Sequence, residues 1–342
     1  LYVQPDKSRG SVEMKVLTYP LARRTVLSLA GLAAVAPAVA QPSDASRQPI
    51  RLIVPFSPGT GSDAIARLLA NDLAGRVPQS VVVENRGGAG GITGTEQGAR
   101  ATADGQTLTL GTNSTLVVNP LLNPRVQYNV ERDFAPVAGL ARTYYAVVTA
   151  NSTGAPETLA ALVERLKKGG GTYGSSGVGT ITHLAAELLV HRTGTSATHV
   201  PYRGSGQTLA DLMGGQILFA ADTLAAVLPM IRSGSLRALA VSAPQRLPAL
   251  PDVPTLSESG LRGLVIDAWY GLMAPAGTPP RVTEALTTAV LASLDSPEMR
   301  ARLQPLEFEA LSMPPAAFSQ FIRESAAFWR DVVQQTGIRL DP

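Results

Sequence analysis

The chain contains no cysteine. That one absence excludes structural disulfides, thiolate metal sites and a lipidated cysteine. Histidine is nearly as scarce: His183, His191 and His199 stand eight residues apart. No two of them neighbour each other on a helix face, and neither H-x-x-x-H nor H-E-x-x-H occurs, so no metal site is expected. The P-loop G-x-x-x-x-G-K-[ST] and the nucleophile elbow G-x-S-x-G are both missing, and no G-x-G-x-x-G can be read from the glycine-rich segment 85–91. No cofactor is expected either. Past the first forty residues, no apolar run is long enough to span a bilayer. Charged residues make up only 16% of the 342, against 45% hydrophobic, which excludes wholesale disorder and leaves ample material for a core.

The net charge of +3 is also less than it looks. Lys7, Arg9, Lys15, Arg23 and Arg24 outnumber Asp6 and Glu13 by three, so residues 1–40 carry all of it. The remainder is formally neutral, and nucleic-acid binding is not expected. Residues 1–40 read as a leader. Arg23 and Arg24 precede an apolar run from Val26 to Val35, and Ala38-Val39-Ala40 forms an A-x-A cleavage site before Gln41. The run is about half of the ~20 residues a membrane span needs. The expectation is a signal peptide starting at Met14, cleaved after Ala40, by the general secretory or the twin-arginine route. The mature protein is expected to be soluble and exported.

Beyond Gln41, short β-branched runs alternate with helical patterns, the mark of an α/β fold with parallel strands. Ile50–Pro55 reads as a buried strand. Ile65, Leu68, Leu69 and Leu73 share one face of the helix that follows. Val81–Val83 and Thr107–Leu110 read as further strands. Tyr145–Thr149 opens a second half with the same rhythm, including strands near 172–173, 199–202, 217–221 and 237–241. Four prolines stiffen residues 243–254. Two long amphipathic helices, 280–294 and 315–333, end the chain. In the last, Phe318, Phe321, Ile322 and Phe328 fall at helical spacing and are expected in the core.

Glycine clusters where an open α/β sheet binds ligands, beyond the carboxyl ends of strands. Phe56-Ser-Pro-Gly59-Thr60-Gly61-Ser62-Asp63 leads into the first helix. Tyr173-Gly-Ser175-Ser176-Gly-Val-Gly-Thr180 leads into Ile181-Thr-His183. In both, glycine permits close backbone approach, and hydroxyls stand beside the unpaired N–H groups of a helix start, which favour an anion. Ordinary capping by Ser62, Asp63 and Thr180 is the plainer alternative, and Asp63 is expected to cap its own helix. Asn85-Arg-Gly-Gly-Ala-Gly-Gly91 reads as a tight strand-to-helix turn. His183 either lines a pocket or packs. Asp222, ending Phe219-Ala-Ala-Asp222, either caps the next helix or accepts hydrogen bonds from a ligand ammonium or hydroxyl.

At these loops the sequence resembles the substrate-binding proteins of tripartite tricarboxylate transporters, the Bug-type periplasmic receptors. The resemblance rests on Pro55–Arg67, Glu84–Gly91, Tyr173–Leu184, His199–Gly204, Asp211–Gln216, Leu236–Ser242, Pro251–Thr255 and Trp269–Pro275 with Gly277–Pro280. It runs in order from about Ile50 to Leu340. Gly59-Thr60-Gly61 departs from the glycine pair common in the first loop. The resemblance implies a two-lobed, type II periplasmic binding protein that closes like a Venus flytrap. Residues 48–143 with 270–342 would form lobe 1, and 144–269 lobe 2. It implies capture of a small carboxylate (a di- or tricarboxylate, acidic amino acid or aromatic carboxylate) without catalysis. The partners would be the membrane subunits of a tripartite transporter, and the receptor a monomer. Carried over, the ligand contacts are Phe56, Gly59, Thr60, Gly61, Thr112, Asn113 and Ser114 from one lobe. Ser175, Ser176, Thr180, His183 and Asp222 come from the other. Two other readings stay open: a ligand sensor for a signalling partner, and an exported hydrolase using Ser175 as nucleophile and His183 as base.

Overall fold

The computed structural model describes residues 48–336; the leader expected over 1–40 lies outside them. The first half runs β1 (Ile50–Val54), α1 (Gly61–Leu73), β2 (Val81–Asn85), α2 (Ile92–Ala99) and β3 (Thr107–Thr112). After a π-helical turn, Ser114–Val118, come α3 (Asn119–Leu122), α4 (Val130–Asp133) and the long strand β4 (Phe134–Ala150). The second half runs α5 (Leu159–Gly169), β5 (Thr172–Ser175), α6 (Ile181–Thr193), β6 (Thr198–Pro201) and α7 (Ser205–Met213). It continues through β7 (Phe219–Thr223), α8 (Leu224–Arg232) and β8 (Leu236–Val241). The chain then returns through β9 (Asp267–Pro275), α9 (Pro280–Leu294), α10 (Pro297–Leu303), β10 (Glu309–Met313) and α11 (Pro315–Thr336).

The strands form two sheets that share β4. In the first, β2, β1 and β3 are parallel, β9 runs antiparallel to β3, and β4 antiparallel to β9. In the second, β4 is antiparallel to β7 and β8, and β7, β5 and β6 are parallel. The change of partner is abrupt: Tyr144 pairs with Asp267 of β9, and Tyr145 with Thr223 of β7. Each parallel strand hands over to a helix, so helix N-termini gather at the carboxyl edge of both sheets.

Only the end of β4 was expected from the sequence. Over 134–144 the apolar pattern is broken by Pro136 and Gly139, and the ladder to β9 shifts register at both places, between Pro136 and Ala138 and between Gly139 and Ala141. Bulges of this kind erase the alternation that marks a strand. The final helix also differs from expectation. Phe318 and Ile322 are buried and Phe321 packs against the core, but Phe328 is 51% exposed and Trp329 takes the inward position.

β9 carries Trp269 edge-on to the rings of Phe318 and Phe321. The next inward position is Gly271, where a Cβ would meet Phe318 Cζ at 1.9 Å. The ring lies flat where that side chain would be, so Gly271→Ala should cost about 1–3 kcal/mol by overpacking. A drop in the denaturation midpoint at unchanged slope would show it; no change would mean that α11 shifts freely. Among the described residues no helix is long and apolar enough to cross a membrane.

Candidate functional site

A cavity of about 40 Å³ lies between the loops of the two sheets. It is lined by Phe56, Thr60, Gly61, Thr112, Asn113, Ser114, Ser176, Thr180 and Asp222, nine of the twelve residues expected at a ligand site. Seven others complete it: Ser62, Tyr145, Thr182, Ser205, Thr223, Ala268 and Tyr270. Gly59, Ser175 and His183 are not in the wall.

The wall holds no lysine, arginine or histidine. Its positive character comes from backbone. The starts of α1 (Gly61, Ser62), α6 (Thr180, Thr182), α7 (Ser205) and α8 (Thr223) all converge on the cavity. Each presents N–H groups that have no intrahelical acceptor and the positive end of a helix dipole. Thr60 is the N-cap of α1 and accepts from Asp63 N; Thr180 is the N-cap of α6 and accepts from His183 N. Ile181 N donates to Ser114 Oγ at 3.0 Å, so a hydroxyl from the first sheet's loop already sits on the start of α6.

Asp63, expected to cap α1, instead sits in its first turn. Its carboxylate accepts from Gly59 N, Arg67 Nε and Asn85 Nδ2. Burial acts to raise its pKa, yet these hydrogen bonds hold it below the ordinary value. The acid is thereby bound outside the cavity wall, and Gly59, with its N–H committed to Asp63 and φ of 81°, is part of that support.

Asp222 is the one ionisable acid in the wall. It does not cap α8, whose N-cap is Thr223; rather, its Oδ1 accepts from Thr223 N at 2.7 Å. Its Oδ2 is buried without a hydrogen bond of ordinary geometry, although the Ser205 hydroxyl is near enough to lower its pKa. Burial dominates and pushes the carboxyl up to about 6. The neighbouring Tyr145 and Tyr270 hydroxyls are driven well above their usual range, first by burial, and stay protonated.

Ser175 and His183 sit behind the second loop. Ser175 Oγ lies 2.7 Å from His199 Nε2, not against His183, so the pairing a Ser175–His183 hydrolase needs is not formed. His183 stacks on His199 at 3.9 Å, and His199 on Tyr173 at 4.9 Å. The Tyr173 hydroxyl donates to Glu187, whose Oε1 also lies 3.8 Å from His183 Nε2. Among the described residues no three His, Asp or Glu side chains are grouped to hold a metal.

The glycine-rich segment after β2 is the expected turn, and it also touches the second loop. A Cβ on Gly90 would come 2.5 Å from Val178 O, and one on Gly177 would come 3.3 Å from Gly90 N. Ser57 Oγ donates to Arg203 O beside this contact. Side-chain-free backbone lets the loops of the two sheets meet directly.

A family model described as the tripartite tricarboxylate transporter family receptor matches residues 65–338. The chain belongs to that family. It is 36% identical over 317 residues to the protein BugT of Bordetella pertussis, spanning 92% of this chain and 96% of BugT. Three solved structures superpose closely. The periplasmic binding protein BugD shares 31% identity at a TM-score of 0.81, covering 86% of this receptor and 98% of BugD. R. palustris Rpa4515 with adipate shares 32% at 0.82, over 86% and 98%. MatC from Rhodopseudomonas palustris with bound malate shares 31% at 0.78, over 84% and 99%. The receptor therefore has the two-lobed α/β fold of periplasmic solute-binding proteins, and its family consists of binding proteins rather than enzymes.

Of the seven wall residues not among the expected contacts, Ser62 and Thr182 belong to the two glycine–hydroxyl segments. Ser205 directly follows the matched segment ending at Gly204, and Tyr270 lies inside the matched Trp269–Pro275, so both carried a signal. Tyr145 and Ala268 did not: they are buried strand residues whose role depends on β4 and β9 passing the cavity.

Proposed function

We propose that this receptor captures a small carboxylate between its lobes and presents it, as a monomer, to the membrane subunits of a tripartite transporter. Export would use the signal peptide within residues 1–40. The convergence of four helix starts on a cavity without a basic side chain carries the reading. Such a site binds a carboxylate through N–H donors and dipoles, and releases it without breaking an ion pair. The adipate and malate held by two similar structures support it. Lobe 1 would be residues 48–143 with 270–342 and lobe 2 residues 144–269, a division supported by the change of partner along β4.

The test is thermal stability of the chain from Gln41 against a carboxylate panel. A true ligand at a hundred times its Kd should add about 2.7 kcal/mol. Gly61→Ala, whose Cβ would meet Tyr270 Oη at 2.5 Å and Thr223 Oγ1 at 2.9 Å, should abolish that gain while circular dichroism stays native. If no carboxylate stabilises the wild type, the reading fails.

A further inference from the structure

Beside the polar cavity lies a second of about 450 Å³ that the carboxylate reading does not use. Its walls come from the same two sets of loops: Gly88–Ile92 and residues 122–125 on one side, 176–178 and 201–203 on the other. Phe56 and Ser176 line both cavities, so the two are neighbours across those side chains. Their chemistry differs. The second is walled by Ile92, Leu122 and Val178 as well as Phe56, and it holds two cations where the first has none, Arg125 and Arg203. Neither guanidinium makes an ion pair or hydrogen bond among the described residues; only the backbone of each is engaged.

The two cavities differ in size as well, about 40 Å³ against about 450 Å³. The second cavity is the roomier and the more apolar of the two. The methylenes of an acid too long for the polar cavity would lie past Phe56 and Ser176, which line both. We propose that the second cavity is the other half of the ligand site. It takes an extended hydrocarbon body, and Arg203, with Arg125, holds an acid group at the far end. The substrate class is then long α,ω-dicarboxylates rather than compact ones. The inference rests on the carboxylate reading and adds length and a second anchor to it. An apolar wall gains with each buried methylene, and an arginine without a partner offers a carboxylate a forked pair of donors.

Titration calorimetry on the chain from Gln41 tests it with succinate, suberate and octanoate. Suberate should bind at least about tenfold tighter than succinate. Arg203→Ala should weaken suberate about ten- to thirtyfold and leave succinate and octanoate unchanged. Val178→Phe, which fills the chamber without touching the polar cavity, should weaken suberate and octanoate but spare succinate. The inference is overturned if the two diacids bind alike, or if Arg203→Ala weakens both equally, as it would if the residue only shaped its loop. In either case carboxylate capture itself stands. If none of the three acids binds, both readings fall.

Discussion

Between pH 6.5 and pH 4 the ligand-free receptor should lose about 3 kcal/mol of stability through His183 alone. Burial, and then the nearby His199, holds the His183 imidazole down to about 3. The unfolded chain takes up a proton near 6.5, so over this window it binds more protons than the fold, and stability falls as the pH falls. His199, held down to about 4 by burial, acts in the same direction. It is more solvated, and its share is smaller. Glu187, at 3.8 Å from His183 Nε2, offers an incoming proton some compensation, but it already accepts from Tyr173. His183→Phe keeps a ring in the stack and removes the titrating nitrogens. Urea unfolding at both pH values should show a slope flatter by about 3 kcal/mol in the variant. Equal slopes would mean that His183 already carries its proton in the fold.

Asp222 works with the opposite sign. Its folded pKa, about 6, lies above the ordinary 3.8, so the fold binds the extra proton. Stability is complete below 3.8 and is lost as the pH rises to about 6, a penalty of about 3 kcal/mol at pH 7.5. Asp222→Asn should therefore stabilise the ligand-free receptor by up to about 3 kcal/mol at pH 7.5 and by about half that at pH 5. It should also change ligand preference. The wall has no cation to offset an ionised Asp222, so a plain diacid should bind tighter to the variant at pH 7.5. In the wild type it should bind tighter at pH 5 than at pH 7.5. A ligand whose ammonium donates to Oδ2 should lose more than tenfold in the same variant. If Asp222→Asn leaves both stability and preference unchanged, the carboxyl is already satisfied in the fold.

The parallel strands and the helices after them were legible because each strand is a short β-branched run and each helix an amphipathic one. The two glycine–hydroxyl loops were legible for a chemical reason: their residues serve a helix start whatever the rest of the chain does. What could not be read depends on distant partners. The bulged part of β4 has no alternation of its own and is held as a strand by β9 and β10. The inward choice of Trp329 over Phe328 is one step of a helix, set by how α11 lies against the sheet. Gly59, Ser175 and His183 looked like contacts by their place in the loops. They are not in the cavity wall, and Asp63, His199 and the ring stack engage them. Spacing along one segment does not reveal that a neighbour has already claimed a side chain.

β4 has a mechanical consequence. One unbroken strand serves both sheets, with its ladder to β9 ending at Tyr144 and its ladder to β7 beginning at Tyr145. A change in angle between the sheets need not cost any of those hydrogen bonds, because no pair straddles the joint. The dihedral angles around Thr143–Tyr145, and the start of β9 at Asp267, would absorb the whole rotation. The joint is therefore torsional: a twist at Tyr144–Tyr145 leaves both ladders of β4 intact.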